Sequence, residues 1–426
     1  MVHGGYRLEG RMAVNGAKNS ALKLVAAALL AEGRTTIHNV PPIADISAML
    51  DVARHLGVTV AADPDGTVTL DVPADLVTTT SPELVARLRA SIVVLGPLLA
   101  RHGRATLAMP GGCNLGNRSI DLHLAGLARM GADIRYGVAT IDATAARLVG
   151  ADIELPFASV GATENLLLAA VTAEGRTVIR NAAREPEIVD LVDLLGAMGA
   201  DISGAGSSEL TIDGVDRLSP TTHRVVGDRI EAGTFAVAAA VTGGDLTLTG
   251  VNPEHLRLAL DKLTAAGVEV SGDADTGLRV RSRGPLRATD IVTLPYPGFP
   301  TDLQPQLLVL LSQADGVSML TENVFDGRFS IVEALAAMGA AIELQGHHAV
   351  VRGPRRLHGA TVRATDLRQG AALLLAGFAA EGRTVVEAPE HIDRGYADVA
   401  ARLRSVGAHI ERVALPAAVG DPVGAP

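Results

Sequence analysis

The stretch LLAEGRTTIHNV at residues 29–40 decides the fold, because a similar phrase returns five more times along the chain. Each copy combines an apolar helix end, a glycine and a β-branched run, and glycine beyond a helix supplies the left-handed conformation that precedes a strand. The marker glycines are Gly33, Gly103, Gly175, Gly244, Gly316 and Gly382, separated by 70, 72, 69, 72 and 66 residues. This period predicts six copies of one unit of about 70 residues.

A second recurring phrase is the end of an amphipathic helix followed by glycine, as in VARHLGVTV at residues 52–60. Its glycines are Gly57, Gly131, Gly199, Gly267, Gly339 and Gly407. Each unit is therefore predicted to hold a buried helix, a strand, a loop, an amphipathic helix and one or two further strands. The first helix of each unit, such as SALKLVAAALL at residues 20–30, is apolar on nearly all sides and must be enclosed by other elements.

We predict an α/β (α+β) fold in which six units form two lobes of three, rather than an open stack of six repeats. No linker rich in proline or serine separates the lobes, so the boundary is placed within residues 223–233. One domain is predicted over residues 18–226 with repeats 1–3, and the other over residues 1–17 and 227–415 with repeats 4–6. Residues 416–426 are predicted to be a disordered tail.

The composition limits the class of partner. With 37 basic and 47 acidic residues, the chain has a net charge of −10, which argues against a general binder of nucleic acid or membrane surfaces. A single cysteine excludes an intrachain disulfide, and no signal peptide or membrane-spanning run is present, so a soluble cytoplasmic protein is expected. No Cys–His pairing or HExxH motif occurs, so neither a metal nor another cofactor is expected. The oligomeric state stays open.

Charged residues gather at the N-termini of the buried helices and in the loop after the first strand of each unit. Helix N-termini carry unpaired N–H groups and attract anions. The cationic candidates are Lys18, Arg89, Arg229 and Arg368 near helix ends, and Arg118, Arg328 and Arg394 in loops. These residues predict a cleft for phosphates and carboxylates, although each one alone is also compatible with a cap or a surface ion pair. From spacing alone, Asp302 in PTDLQP is predicted to be a helix N-cap, and a surface pairing with Asp393 or Glu390 is the alternative for Arg394.

The only cysteine, Cys113, lies in the glycine-rich loop MPGGCNLGNRSID at residues 109–121. A lone cysteine is commonly an inert core residue. Here the flanking glycines and the nearby Arg118 favour a reactive thiol with a lowered pKa. His123, on an apolar helical stripe, is predicted to be structural.

Ten phrases in order resemble the UDP-N-acetylglucosamine 1-carboxyvinyltransferase family, among them GAKNSAL (16–22), PGGCNLGNRSIDLH (110–123), SVGATEN (159–165) and PGFPTDLQPQ (297–306). The similarity runs collinearly from about residue 3 to residue 413. It implies an inside-out α/β barrel of two domains, each with threefold internal repetition. It also implies transfer of the enolpyruvyl group of phosphoenolpyruvate (PEP) to the 3′-hydroxyl of UDP-N-acetylglucosamine (UDP-GlcNAc), which releases phosphate. That reaction is the first committed step toward peptidoglycan.

The resemblance also implies roles for individual residues. Cys113 matches the proton donor that fosfomycin alkylates, and Asp302 matches the general base; an acid and a base on opposite sides of a cleft suit addition to an enol ether. The implied catalytic residues are Cys113, Asp302, Lys18 and Arg394, and the implied PEP site is Lys18, Asn19, Arg118 and Arg394. The implied UDP-GlcNAc site is Arg89, Arg118, Ser119, Ile120, Asp121, Leu122, Ser159, Val160, Gly161, Asp302 and Val324, with Arg328, Arg368 and Asp366 in support.

Three positions depart from the family pattern and keep alternatives open. Ser119 stands where proline is usual, and Gln369 where alanine is usual. Some relatives have lysine just before the SVGAT segment, whereas here Phe157 stands two residues before Ser159. One alternative is a paralogue that uses another uridine nucleotide, such as UMP in nucleoside-antibiotic synthesis. An EPSP synthase would share the fold and PEP but lack the PGGC loop and SVGATEN. A nucleotide sensor without turnover is a third alternative, against which the intact set of catalytic residue types argues.

Overall fold

The computed structural model describes residues 1–108 and 120–413, which contain fourteen α-helices and four short 3₁₀-helices. The α-helices are α1 (Lys18–Ala28), α2 (Ala44–His55), α3 (Pro82–Arg87), α4 (Leu95–His102), α5 (Asp121–Arg129), α6 (Val160–Ala170), α7 (Pro186–Ala197), α8 (Arg229–Thr242), α9 (Arg257–Ala265), α10 (Gln304–Ser312), α11 (Val332–Ala337), α12 (Leu367–Ala379), α13 (Glu390–Asp393) and α14 (Val399–Arg404). The 3₁₀-helices are Arg89–Val94, Pro253–Leu256, Thr301–Leu303 and Asp326–Ile331.

The same residues contain 23 strands in six sheets. The strands are β1 (Val2–His3), β2 (Glu9–Ala13), β3 (Gly33–His38), β4 (Thr59–Ala62), β5 (Val68–Val72), β6 (Arg104–Ala108), β7 (Asp133–Tyr136), β8 (Thr140–Thr144), β9 (Asp152–Glu154), β10 (Arg176–Arg180), β11 (Asp201–Ser203), β12 (Glu209–Asp213), β13 (Thr222–Arg224), β14 (Asp245–Thr249), β15 (Glu269–Asp273), β16 (Gly277–Arg281), β17 (Ile291–Val292), β18 (Gly316–Thr321), β19 (Ala341–Gln345), β20 (His348–Gly353), β21 (Thr361–Arg363), β22 (Arg383–Glu387) and β23 (His409–Ile410).

Each predicted unit contributes one sheet. The strand orders are β13-β3-β5-β4, β6-β8-β7, β11-β12-β10-β9, β15-β16-β14-β2, β17-β18-β20-β19 and β21-β22-β1-β23. In the three-stranded sheet, an isolated parallel bridge between Thr79 and Thr106 stands where the other sheets have a fourth strand. The six-unit prediction is therefore confirmed.

Strands distant in sequence close each half of the molecule. Strand β13, which follows the third unit, pairs in parallel with β3 of the first, with Thr222 opposite Thr36. Strand β2 pairs in parallel with β14, with Glu9 opposite Asp245, and β1 lies between β22 and β23. We call α1–α7 with β3–β13 the N-terminal lobe, and the remaining elements, including β1 and β2, the C-terminal lobe.

The chain passes between the lobes twice, and the two passages lie side by side. Gly16 and Gly227 form an antiparallel bridge. The N–H of Ala17 donates to the carbonyl of Val226 at 2.7 Å, and the N–H of Asp228 donates to the carbonyl of Asn15 at 2.8 Å.

Helices fill the interior of each lobe and sheets form its outside, as an inside-out α/β barrel requires. Nearly every residue of α1, α6, α8, α10 and α12 is buried. The buried apolar residues form two separate clusters, one per lobe, with Ala397 reaching across into the N-terminal cluster. The fold class predicted from the repeats is therefore confirmed.

Two of the predicted inner helices are interrupted. The second unit begins with the 3₁₀-helix Arg89–Val94 before α4, and the fifth with Thr301–Leu303 before α10. Pro97 and Pro305, near the start of α4 and α10, have no N–H to bond the carbonyl four residues earlier, so the preceding turn tightens. The short helix α3 was not predicted.

The glycine signals largely behave as expected. All six glycines that end the amphipathic helices have positive φ, from 92° at Gly131 to 103° at Gly57. In the fourth unit, however, Gly243 rather than the marker Gly244 adopts the left-handed conformation.

A further left-handed residue follows the first strand in four units. These residues are Asn39 (φ 61°), Asn181 (φ 52°), Gly250 (φ 78°) and Ala388 (φ 55°). The side-chain amide of Asn39 donates to the carbonyl of Val225 at 2.9 Å, and that of Asn181 donates to the carbonyl of Leu155 at 2.8 Å. In both cases the accepting residue directly follows the parallel neighbour strand.

Candidate active site

A cleft of about 550 Å³ lies between the two lobes and brings most of the predicted site residues together. Those that line it are Lys18, Asn19, Arg89, Ile120, Leu122, Ser159, Val160, Gly161, Asp302, Val324, Arg328, Asp366, Arg368 and Arg394, with Arg229 beside them. Asp121 begins α5 and is not part of this lining. Cys113, Arg118 and Ser119 lie outside the described residues.

Asp45, which the sequence analysis missed, joins two of the predicted cations across the cleft. Lys18 at the start of α1 donates from Nζ to Asp45 Oδ2 at 2.9 Å. Arg394, from the C-terminal lobe, donates from Nε to Asp45 Oδ1 at 2.8 Å. The predicted surface pairing of Arg394 with Asp393 or Glu390 is therefore wrong for its Nε, since its partner there is 349 residues away. Asp45 lies in the first turn of α2, directly after the polar loop in which other candidates were sought.

Burial and charge act in opposite directions on this group of three. Burial lowers the pKa of Lys18, while Asp45 partly restores it. Burial alone would raise the pKa of Asp45, whose side chain is 5% exposed, but Lys18 and Arg394 outweigh burial and hold the pKa below its usual value. The site therefore offers two cations whose charge one carboxylate balances only in part.

Asp302 lies between two arginines in the same cleft. Its Oδ1 accepts from Arg328 Nη2 and its Oδ2 from Arg368 Nη2, each at 2.8 Å. The N-cap role expected from spacing is wrong, because the residue at the cap of the 3₁₀-helix is Pro300 and no side chain caps it. Arg328 is 1% exposed and also donates to the hydroxyl of Thr301 at 3.2 Å. Despite burial, Asp302 keeps the pKa of Arg368 above its usual value.

The helix N-termini that face the cleft differ in how they are capped. The carboxylate of Asp228 accepts from two N–H groups of α8 and from the N–H of Lys18 in α1. Asp366, predicted as a supporting residue, caps α12 in the same way. The cap of α6 is the neutral Ser159, whose hydroxyl accepts from the N–H of Ala162. The first turn of α6 holds no acidic residue either, so the partial positive charge at this helix end is not balanced by a charged cap.

Two buried ion pairs line the same cleft. Arg229 pairs with Glu187 at 3.1 Å. Lys23 Nζ lies 3.1 Å from Glu164 Oε2 but out of line for a hydrogen bond, so the contact is charge to charge. Burial raises the pKa of Glu164 to about 7, against the opposing effect of Lys23. Sequence reasoning missed this pair, although a charge inside an otherwise apolar helix was the available signal.

His123 and Gln369 are buried in supporting positions. His123 accepts at Nδ1 from the amide of Asn165 at 3.1 Å, and burial with the nearby Arg89 and Lys23 lowers the pKa of His123 to about 4. Its ring also lines the cleft. Gln369 accepts at Oε1 from the hydroxyl of Thr365 at 2.8 Å and is not part of the cleft lining, so this departure from the family pattern does not meet a ligand there.

Over residues 1–108 and 120–413, no three His, Cys, Asp or Glu side chains are grouped so that they could hold a metal ion. Within the same ranges, no helix combines the length and the apolar character that crossing a membrane requires.

Six α/β units around a cleft lined by lysine, arginine and aspartate define the class of protein. The chain belongs to the EPSP synthase family, whose model, EPSP synthase (3-phosphoshikimate 1-carboxyvinyltransferase), matches residues 2–403. It is thus an enzyme of the carboxyvinyltransferase class.

Within that family, similar chains share one name. The chain is 54% identical to the UDP-N-acetylglucosamine 1-carboxyvinyltransferase of Nocardia farcinica, an alignment that covers 97% of this chain and 98% of the relative. It is 51% identical to the enzyme of that name from Mycobacterium tuberculosis, with the same coverage.

Among solved structures, the enolpyruvyl transferase NikO from Streptomyces tendae is similar, with a TM-score of 0.86 at 30% identity over 96% of this chain and 97% of that one. An EPSP synthase from Acinetobacter baumannii has the same fold, with a TM-score of 0.74 at 21% identity over 96% and 97% of the two chains.

Proposed function

We propose that this chain transfers the enolpyruvyl group of PEP to the 3′-hydroxyl of UDP-GlcNAc and releases phosphate. The observation that carries the proposal is that Lys18, Arg394 and Asp302 line a single cleft, in which Lys18 and Arg394 from opposite lobes bind the same carboxylate. The names of relatives that are 50–54% identical over nearly the whole chain support UDP-GlcNAc as the acceptor. Cytoplasmic peptidoglycan synthesis is the setting that this reaction implies.

In this proposal Lys18, Asn19 and Arg394 bind PEP. PEP carries a phosphate and a carboxylate, which suit one lysine and one arginine from opposite lobes. Their shared partner Asp45 neutralises part of their charge until PEP takes its place. Arg118, outside the described residues, completes the set on the basis of its motif alone.

Asp302 is the proposed general base at the sugar hydroxyl. Each carboxylate oxygen has two acceptor positions, and Arg328 and Arg368 each occupy one. The arginines fix the carboxylate in place at the edge of the cleft, where a sugar hydroxyl can approach it. By resemblance, Cys113 delivers a proton to the PEP methylene from the opposite face.

The UDP part is proposed to lie against the N-terminal lobe. The neutral cap of α6 leaves the N–H groups of Val160 and Gly161 available to a diphosphate, and Arg89 adds a positive charge. Ile120 and Leu122 add apolar surface to the cleft, and Val324 lines it from the C-terminal lobe. Asp121 and Ser119 are assigned to this subsite on the motif alone.

We further propose that the lobes are two domains, residues 18–226 and residues 1–17 with 227–415. Two separate apolar clusters support this division. The paired passages at Asn15–Ala17 and Val226–Asp228 are then the hinge about which the cleft opens and closes.

The test is phosphate release from PEP by the purified protein, with UDP-GlcNAc and UMP as acceptors in parallel. Turnover with UDP-GlcNAc that fosfomycin abolishes is the expected result, and it would also assign the role of Cys113. Turnover with UMP alone would keep the transfer chemistry and replace the acceptor. Binding of either nucleotide without phosphate release would reject the enzymatic proposal.

A further inference from the structure

Lysine is rare in this chain, and its placement is selective. Only three of the 37 basic residues are lysines. Lys18 and Lys23 lie on α1 and line the cleft, whereas Lys262 lies on α9 outside it. An ammonium is a compact point charge that responds to its surroundings, unlike a guanidinium. Two of only three lysines line the cleft, which indicates that Lys23, like Lys18, has a specific partner there.

The surroundings of Lys23 leave at least one of its donors unused. The residue is 9% exposed, and its Nζ donates to the carbonyl of Asn19 at 2.8 Å. The same atom lies 3.1 Å from Glu164 Oε2. An ammonium has three N–H groups. Within residues 1–108 and 120–413, these two groups are its only partners, and the side chain borders the cleft.

Glu164 is built as a counter-ion rather than as a hydrogen-bonded structural carboxylate. It is 0% exposed, and neither of its oxygens receives a well-directed hydrogen bond from the described residues. A buried carboxylate in such a place depends on a nearby positive charge. Lys23 on α1 supplies that charge; Glu185 and Glu187 around the start of α7 add negative charge, and Arg229 on α8 pairs with Glu187.

The pair lies next to the end of α6 that lacks a charged cap. Glu164 is in the second turn of that helix, behind Ser159 and Gly161. Both Lys23 and Arg89 act on the pKa of His123, whose ring lies 3.2 Å from where a side chain at Gly161 would begin. Lys23, Arg89 and the positive end of α6 therefore surround one region of the cleft.

We propose that Lys23 is a specificity-determining residue that donates its unused N–H to a phosphate oxygen of the acceptor, with Glu164 as the buried counter-ion that holds the ammonium when the acceptor is absent. The identity of the acceptor as a phosphorylated nucleoside rests on the proposed function. A bound anion competes with Glu164 for Lys23, so Glu164 takes up a proton when the anion binds. Its pKa of about 7 makes this uptake measurable near neutral pH.

The experiment is isothermal titration calorimetry with UDP and with uridine, in the absence of PEP. Lys23→Met is expected to weaken UDP affinity about 10- to 100-fold, the range for a lost hydrogen bond to a charged group. Its affinity for uridine should be unchanged. Glu164→Gln keeps a side-chain oxygen beside Lys23 but removes the negative charge that competes with UDP, so UDP affinity should increase. Lys262→Met is the matched control and should leave both affinities unchanged.

Changes of opposite sign distinguish the proposal from a purely structural ion pair. Equal weakening in Lys23→Met and Glu164→Gln, or UDP affinity within twofold of wild type in Lys23→Met, would overturn it. Because Lys23→Met leaves a carboxyl group buried alone, the double variant Lys23→Met with Glu164→Gln repeats the test with a neutral pair. UDP affinity in that variant should stay as low as in Lys23→Met.

Proton uptake is a second readout. Titrations at pH 7.5 in two buffers of different ionisation enthalpy should show proton uptake with UDP in the wild type and none in Glu164→Gln. The binding titrations do not require turnover. Failure of phosphate release with UDP-GlcNAc would therefore reject the proposed function, while the binding titrations would still test the role of Lys23. A wild-type protein that does not bind UDP would overturn this inference.

Discussion

Replacing Ala388 by asparagine is expected to stabilise the protein, because two equivalent units already use asparagine there. Asn39 and Asn181 adopt the same left-handed conformation, and each bonds the carbonyl of the residue after a parallel strand. In the sixth unit that residue is Ala364, which follows β21. Its N–H donates to the carbonyl of Glu387 at 3.0 Å, as Leu155 and Val225 do to theirs in the third and first units. An asparagine at 388 thus has an acceptor in the equivalent place.

The size of the effect follows from three contributions. A left-handed conformation costs a residue such as alanine about 1–2 kcal/mol, and asparagine tolerates it better. A new hydrogen bond contributes about 0.5–1.5 kcal/mol. Ordering the longer side chain offsets roughly 0.5–1 kcal/mol of this gain. The net expectation is about 1 kcal/mol, or ~2 °C in Tm for a chain of this size.

Far-UV circular dichroism or calorimetry is the suitable assay, because the chain has no tryptophan to report unfolding. Ala388→Gly is the control: it relieves the conformational strain without a hydrogen bond and adds backbone freedom to the unfolded chain, so its Tm should stay near that of wild type. A lower Tm for Ala388→Asn, or equal shifts for both variants, would refute the reasoning from repeat equivalence.

Three other changes test the cleft. Asp302→Asn is expected to lower kcat about 10²- to 10⁴-fold while UDP-GlcNAc still binds. Steady-state kinetics measure kcat and a binding titration measures the affinity for UDP-GlcNAc. A kcat within tenfold of wild type would contradict the assignment of Asp302 as general base. Asp45→Asn removes the charge that raises the pKa of Lys18, so the alkaline limb of the pH profile of kcat/KM for PEP should move to lower pH; an unmoved limb argues against Lys18 as a PEP ligand. Burial gives Glu164 a pKa of about 7 in the folded protein, against an ordinary value of 4.5, so the folded state binds more protons and its stability falls as pH rises through that window. Glu164→Gln does not lose stability in this way. Measured by urea unfolding, the free energy of unfolding of the variant minus that of wild type should be about 3 kcal/mol more favourable at pH 8 than at pH 4. A difference that does not depend on pH would count against the buried counter-ion.

The six units could be predicted because their signals are local. A glycine after each helix and an apolar inner helix such as α6 are read from a few neighbouring residues. The interruptions before α4 and α10 were also within reach, since Pro97 and Pro305 are visible in the sequence. The prediction of one continuous helix followed the apolar pattern and gave too little weight to the missing N–H of each proline.

The contacts between distant residues could not be predicted from composition or spacing. Asp45 meets Arg394 across 349 residues, and this contact depends on how the lobes come together. Asp302 meets Arg368 across 66 residues, and this contact depends on how two units pack within the C-terminal lobe. Spacing alone made Asp302 a cap, and only family resemblance suggested otherwise. The Lys23–Glu164 pair is intermediate, because each residue is anomalous in its own helix while the pairing is tertiary.

The use of β1 and β2 in the C-terminal lobe affects the order in which the protein can fold during synthesis. The ribosome completes the N-terminal lobe when residue 226 has emerged, since all strands of its sheets lie before that point. The first two strands, although made earliest, wait unpaired until β14 and β22 appear. The C-terminal lobe therefore assembles around a segment that has been exposed throughout synthesis, and the interlobe cleft is the last part of the molecule to form.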